Sequence, residues 1–292
     1  KQNEKQFFLS VKKTLLENNL RDVVVFDDNS FTKINEKING MMIYNFNNYY
    51  KKKINVNNLN QFQENSFSKK FLQFSSGTTG HKKVMQVDTD KLIDHFKNYN
   101  KRIKLKDNSV VVSWLPHYHD MGLIACMLMP IYYNSTIYMM SPFDWIKNPL
   151  NLLRKIDEMS GTHVWLPNFA FGVITKTLDN GSIAKNNFDL SSLQFLTSAS
   201  EPVIYQVMKN FNKISKFTNY NSKVFNNLYG MAENIFAIST TYKNFKFLDI
   251  KFNSLKTGNI QLNNSDYKIA SAGTVIDSTK IKILNRQKKK LK

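Results

Sequence analysis

The chain has 292 residues, 42% hydrophobic and 13% aromatic, enough to bury the core of one large α/β domain or two modest ones. Lys+Arg 41 against Asp+Glu 22 gives a formal net charge of +19, but the excess is nearly all lysine, recurs along the chain, and accompanies abundant Asn, as in AT-rich coding sequences. With no recognition motif beside that charge, nucleic acid is excluded as an expected partner. The single cysteine, Cys126, excludes an intrachain disulfide framework and a zinc site built on several cysteines. Cys126 lies in the apolar run from Met121 to Pro130 and reads as a buried structural thiol. No stretch is long enough to span a membrane and the N-terminus lacks the order of a signal peptide, so a cytoplasmic enzyme is expected.

In chain order, residues 1–20 predict an amphipathic helix with Phe7, Phe8, Val11, Leu15 and Leu16 on one face. Residues 22–26 and 41–44 are apolar runs of strand length, and 45–70 is a polar stretch without period. Residues 71–74 predict a strand, followed by a Ser/Gly/Thr loop and a second apolar segment at 84–87. A helix is expected over 90–103, a buried strand over 110–114 and a helix over 121–133. Strands are expected at 136–139, 164–166, 193–196 and 224–228, with helical stretches between them, including 203–211. Strands separated by helices of this length predict an α/β fold with mostly parallel sheets flanked by helices.

Five segments carry chemistry. Ser75-Ser76-Gly77-Thr78-Thr79-Gly80-His81-Lys82-Lys83 follows a strand with two glycines and four hydroxyl residues. Backbone N–H groups and hydroxyls of such a loop suit a polyphosphate, and an ordinary Ser/Gly turn fits the composition as well. The Walker spacing is absent. Tyr229-Gly230-Met231-Ala232-Glu233 offers an aromatic face for a purine, a close backbone approach and a carboxylate for Mg²⁺; a strand-end turn with an exposed glutamate also fits. Leu196-Thr197-Ser198-Ala199-Ser200-Glu201-Pro202 places small residues at a strand end before a proline, the makings of a tight crevice. Trp114-Leu115-Pro116-His117-Tyr118-His119-Asp120-Met121-Gly122-Leu123 and Leu166-Pro167-Asn168-Phe169-Ala170-Phe171 complete the set. His117 and His119 have no third ligand at a fitting spacing, which argues against a metal there.

Taken in chain order, these segments resemble the adenylate-forming, acyl-activating enzymes, most closely the fatty-acyl-AMP ligases. Ser76, Gly77, Thr78, Thr79, Gly80 and Lys83 match the phosphate-binding signature of that family, while Lys82 and Val84 replace its usual proline and final glycine. Tyr229 to Glu233 matches the Tyr-Gly-x-Ala/Thr-Glu motif, and Ser198 to Pro202 resembles the Asn/Ser-Gly-Ala-Glu-Pro segment with Ala199 and Ser200 in place of glycine and alanine. A fainter match continues through Ala272-Gly273-Thr274-Val275.

The resemblance implies the large N-terminal domain of an adenylate-forming enzyme, with residues 71–285 as its ATP- and acyl-binding core. Residues 1–70 would belong to the same domain, and 286–292 would form a lysine-rich tail. It implies ATP-dependent conversion of a fatty or other carboxylic acid to acyl-AMP, with Mg²⁺ and an acceptor that is acyl carrier protein or CoA. Phosphates would lie on Ser76 to Gly80 and Lys83. Adenine would lie between Tyr229, Gly230 and the Ser198-Ala199-Ser200 segment, and Mg²⁺ on Thr79 and Glu233. His119 would stand beside the reacting carboxylate, with Asp120, Met121, Gly122, Asn168 and Phe169 around the acyl group. The ribose aspartate and the small C-terminal domain of the family have no counterpart here, so a fragment with weak activity is the expectation.

Overall fold

The computed structural model describes residues 22–25, 42–45, 70–74, 84–178, 188–242, 245–257, 267–277, 279–285, 287 and 289. Contacts divide the chain into Lys1–Ser68 and Lys69–Lys292. In the first unit, β1 (Asp22–Val25) and β2 (Met42–Asn45) pair in parallel. The expected N-terminal helix and the polar stretch 45–70 lie outside the described residues, save for Asn45 and Lys70 at strand ends.

The second unit opens with an antiparallel hairpin of β3 (Lys70–Phe74) and β4 (Val84–Asp88), in which Phe74 pairs with Val84. Residues 75–83 connect its strands. Helix α1 (Thr89–Ile103) follows β4 directly. Its buried residues Leu92, Phe96, Tyr99 and Ile103 recur at helical spacing, while Asp90 in the first turn and Lys101 and Arg102 in the last complement the helix dipole.

The main sheet is seven-stranded. Its strands are β5 (Val110–Ser113), β6 (Thr136–Met139), β7 (His163–Pro167), β8 (Phe195–Ala199), β9 (Phe225–Gly230), β10 (Ala237–Thr240) and β13 (Thr274–Val275). The order β13-β10-β9-β8-β7-β5-β6 keeps β6 through β9 parallel, and β10 and β13 run antiparallel at one edge. Every residue of β7 and β8 is buried, as expected of parallel strands covered on both faces. Outside this sheet, β11 (Phe247–Ile250) and β12 (Tyr267–Ala270) form an antiparallel pair.

Connections between the parallel strands are helical. A π-helix over Met121–Leu128 runs into α2 (Met129–Tyr132); α3 (Pro142–Lys147) and α4 (Asn151–Glu158) lead to β7. Helix α5 (Asn168–Thr177) follows β7 and α6 (Tyr205–Phe211) follows β8. The helix expected over 121–133 is present, but its first two turns are π rather than α, with Met129 N–H bonded to Ile124 O. Its residues are nearly all apolar, so periodicity could not separate the two forms.

From β5 the chain moves to β6 on one side and then returns to β7 on the other. In open α/β sheets, ligands bind at the carboxyl ends of the strands where such a reversal occurs. The segments after Ser113, Pro167, Ala199 and Tyr229 all emerge at this edge.

Candidate active site

Beyond β5, His119 Nδ1 lies 2.7 Å from Asp120 Oδ1, and that same oxygen accepts from Met121 N at 2.7 Å. Met121 N is also 3.3 Å from His119 Nδ1. A ring nitrogen donating its proton to Asp120 cannot accept another, so the shorter carboxylate contacts define the arrangement. The hydrogen bond to Asp120 raises the His119 pKa above the usual histidine value, against burial that would lower it. The imidazole therefore carries positive charge to a higher pH than a free histidine while its side chain stays 42% exposed. Gly122 is required one turn on: a Cβ there would come within 2.3 Å of Pro116 O.

At the end of β7, Asn168 is buried and ties two strand ends together. Its Oδ1 accepts from Ile204 N at 3.1 Å, and its Nδ2 lies 3.7 Å from Met208 Sδ. Phe169 N donates to Glu201 Oε1 at 2.5 Å. The half-exposed Phe169 ring stands edge-on to Trp114 and Trp145, which stack with centroids 4.1 Å apart. Of the residues expected around an acyl group, His119, Asp120 and Phe169 thus retain accessible surface, whereas Met121, Gly122 and Asn168 are buried supports. The Trp114–Trp145 stack was not expected, because Trp145 reaches it from α3, which carries no motif.

A cleft of about 340 Å³ lies next along the edge. One wall is Ser200, Glu201, Tyr229 and Gly230; the facing wall is Tyr267 and Lys268 of β12. Tyr229 is 48% exposed, leaving its ring available for stacking. Ser200 adopts a left-handed φ of 69° and is exposed, while Ser198 and Ala199 are buried behind it. The buried Ser198 hydroxyl finds no hydrogen-bond partner. Ser200 Oγ lies 4.0 Å from Met121 Sδ, which brings the cleft against the His119 segment. Gly230 permits close packing, since a Cβ would sit 2.3 Å from Phe236 O.

Sequence reasoning missed the polar cleft residues Asn227, Tyr267 and Lys268, among others. Asn227 donates through Nδ2 to Ser271 O at 2.8 Å and anchors the cleft floor. Lys268 is ion-paired with Asp249 and sits 4.9 Å over the Tyr205 ring. Tyr267 and Lys268 reach the cleft through pairing of β11 with β12, and no local signal marks them.

Glu233 borders a separate cleft of about 360 Å³, with Gln86, Asp88, Lys91, Asp94 and His95. His95 is buried and its Nε2 accepts from Ala237 N at 3.1 Å; burial lowers its pKa to about 4, so it is neutral. Strand β4 supplies Gln86 and Asp88 just after the 75–83 connection. Ser76, Gly77, Thr78, Thr79, Gly80 and Lys83 lie outside the described residues. Among the described residues, no three His, Cys, Asp or Glu side chains form a metal-binding group, and none of the helices is long and apolar enough to cross a membrane. His163, by contrast, is wholly buried on Ile103 O and Thr162 Oγ1, with its pKa lowered to about 4 by burial. Cys126 is likewise buried, its thiol pushed up to about 12.

The medium-chain-fatty-acid–acyl-carrier-protein ligase TtuA of Teredinibacter turnerae is 31% identical over 169 residues, 58% of this chain and 26% of the relative. The long-chain-fatty-acid–AMP ligase FadD26 of Mycobacterium marinum is 27% identical over 171 residues, 56% of this chain and 28% of the relative. The solved structure of the fatty acyl-adenylate ligase from Legionella pneumophila, in complex with acyl adenylate and pyrophosphate, superposes with a TM-score of 0.82 at 26% identity. It covers 96% of this chain and 49% of that one, so the chain spans about half its length. The AMP-binding enzyme family matches residues 19–292. A family match over nearly the whole chain agrees with the segments at 114–123, 166–171 and 196–202 emerging at one edge of a parallel sheet: the chain belongs to the AMP-binding enzyme family.

Proposed function

We propose that this chain serves ATP-dependent activation of a fatty acid to acyl-AMP with release of pyrophosphate, the acyl group then passing to a carrier-protein thiol. The observation that carries this reading is the convergence at one sheet edge of an exposed Tyr229 in a cleft, a hydrogen-bonded His119–Asp120 pair and the Phe169 aromatic surface. The named relatives supply the substrate class and the acceptor.

In this reaction a carboxylate oxygen attacks the α-phosphorus of ATP. A new P–O bond forms, the bond to the β-phosphate bridge breaks, and pyrophosphate leaves with the electron pair. No proton needs to move, because the carboxylate is ionised at neutral pH. What the protein contributes is alignment of two anions and compensation of charge building on phosphorus. Tyr229 would stack on adenine with Ser200 and Gly230 beside it. His119, held protonated to higher pH by Asp120, would face the reacting anions. Phe169 would border the apolar chain of the acid.

Mg²⁺ would be held by Glu233 together with Thr79, while Ser76 to Gly80 and Lys83 would hold the phosphates. Oxygen donors suit this ion, which takes one or two carboxylates plus phosphate oxygens and retains waters. The lack of a three-residue cluster among the described residues is compatible with that chemistry. Mg²⁺ supplies charge neutralisation on the polyphosphate. The reading implies a cytoplasmic enzyme, where ATP and Mg²⁺ are at hand.

The test is exchange of labelled pyrophosphate into ATP with a panel of fatty acids. Exchange that depends on the added acid and falls by about 10²-fold or more in Glu233→Gln is expected. Exchange indifferent to the acid would contradict the reading.

A further inference from the structure

Glu233 is followed by an unusual piece of backbone. Ile235 has φ 69° and ψ −58°, and Phe236 N donates to Asn234 O at 2.8 Å. That is a γ-turn of the rare, strained kind with a positive φ at its centre. A β-branched side chain is poorly suited to such a conformation, which persists only where the surroundings over-determine it.

The surroundings do so here. Phe236 O accepts from Met231 N at 2.8 Å, and Ala237 N donates to His95 Nε2 at 3.1 Å. Asn234 Nδ2 donates to Ala237 O at 2.9 Å and to Thr279 Oγ1 at 3.2 Å. The Tyr99 ring meets the buried Phe236 ring edge-on at 5.8 Å. His95 and Tyr99 both belong to α1, which continues directly from β4. The turn is therefore braced by the helix that follows the 75–83 connection and its hairpin strand, and Glu233 shares its cleft with Gln86 and Asp88 of that strand.

We propose that Asn234 and His95 are positioning residues that brace the γ-turn at Ile235 and so hold the Glu233 backbone beside β4, so that the carboxylate meets a magnesium–polyphosphate ligand already placed. The inference rests on the reading in which Glu233 holds Mg²⁺. A loose glutamate would have to be ordered on binding, and the braced turn removes that cost.

The experiment compares ATP affinity with Mg²⁺ and with EDTA by calorimetry, on the whole chain. The parent is expected to gain affinity from Mg²⁺, and Glu233→Gln to lose that gain. Asn234→Ala, which removes the side-chain bonds to Ala237 O and Thr279 Oγ1, is expected to cut the gain about two- to tenfold, the range for ordering one side chain on binding. His95→Phe removes the acceptor for Ala237 N and is expected to cut the gain similarly, whereas His95→Gln, which restores an acceptor, recovers it. If Asn234→Ala does not fold, the His95 pair decides: equal gains in His95→Phe and His95→Gln overturn the inference. A full gain in folded Asn234→Ala overturns the positioning role alone. A parent without the gain, or Glu233→Gln that keeps it, overturns the role of Glu233 and this inference with it.

Discussion

Neighbouring side chains set the charge of the site. Asp120 accepts from His119 and from Met121 N with the same oxygen, so one carboxylate both caps the π-helix and keeps the imidazole protonated to higher pH. Asp120→Asn removes the charge but keeps an acceptor. The titration midpoint of His119, followed by NMR, is expected to move down, and affinity for an acyl-adenylate analogue to fall by about tenfold at most, because the pair is partly exposed. An unmoved midpoint would contradict the assignment. Tyr229, Gly230, Ser200 and the His119 segment were legible in the sequence because each is encoded within a few contiguous residues. Tyr267 and Lys268 were not, since they face the same cleft only after β11 pairs with β12, and Asn227 enters it from β9 with its Nδ2 bonded to Ser271 O. Asn168 was expected beside the acyl group; its side chain is buried, with Oδ1 accepting from Ile204 N and Nδ2 near Met208 Sδ.

Elements carry a second set of constraints, and two glycines separate them. Gly122 lies in the π-helix with Pro116 O at 2.3 Å from any Cβ, whereas Gly172 in α5 has only Val207 methyl groups at 3.7 and 3.9 Å. Gly122→Ala is expected to destabilise by about 1–3 kcal/mol through forced displacement of that turn. Gly172→Ala is expected to stabilise by about 1 kcal/mol or less, from helix propensity. Urea unfolding of both variants checks the contrast. The five parallel strands of the main sheet were legible because apolar runs such as Val110-Val111-Val112 have few other solutions, whereas the antiparallel β10 and β13 were not expected. The π form of Met121–Leu128 was not, because an apolar run reads alike for either helix. Nor was the separation of Tyr229 from Glu233 into two clefts. It depends on the close approach of Gly230 to Phe236 and on the turn at Ile235, neither of which local pattern encodes.

The whole molecule shows what the alternation of strands and helices implied: five parallel strands in the order β6-β5-β7-β8-β9, with the site segments at their carboxyl ends. Its stability should also report on buried histidines. His95 and His163 have folded pKa values lowered to about 4, while unfolded histidine titrates near 6.5. Between those values the unfolded chain binds more protons, so stability falls as pH drops from about 6.5 toward 4. His119 acts with the opposite sign, since its raised pKa adds stability below 6.5 that is lost as pH rises through the folded value. Two deeply buried groups outweigh one exposed one, so the unfolding midpoint is expected to be lower at pH 5 than at pH 7. His95→Gln should lessen that fall.

The most direct measurement is calorimetric titration of the chain with a non-hydrolysable fatty-acyl-adenylate analogue. Saturable one-to-one binding, displaced by ATP and weakened by about tenfold or more in Tyr229→Ala through loss of the stacking face, is the expected result. Binding that is absent, or that survives Tyr229→Ala unchanged, would contradict an acyl-adenylate site at this edge of the sheet.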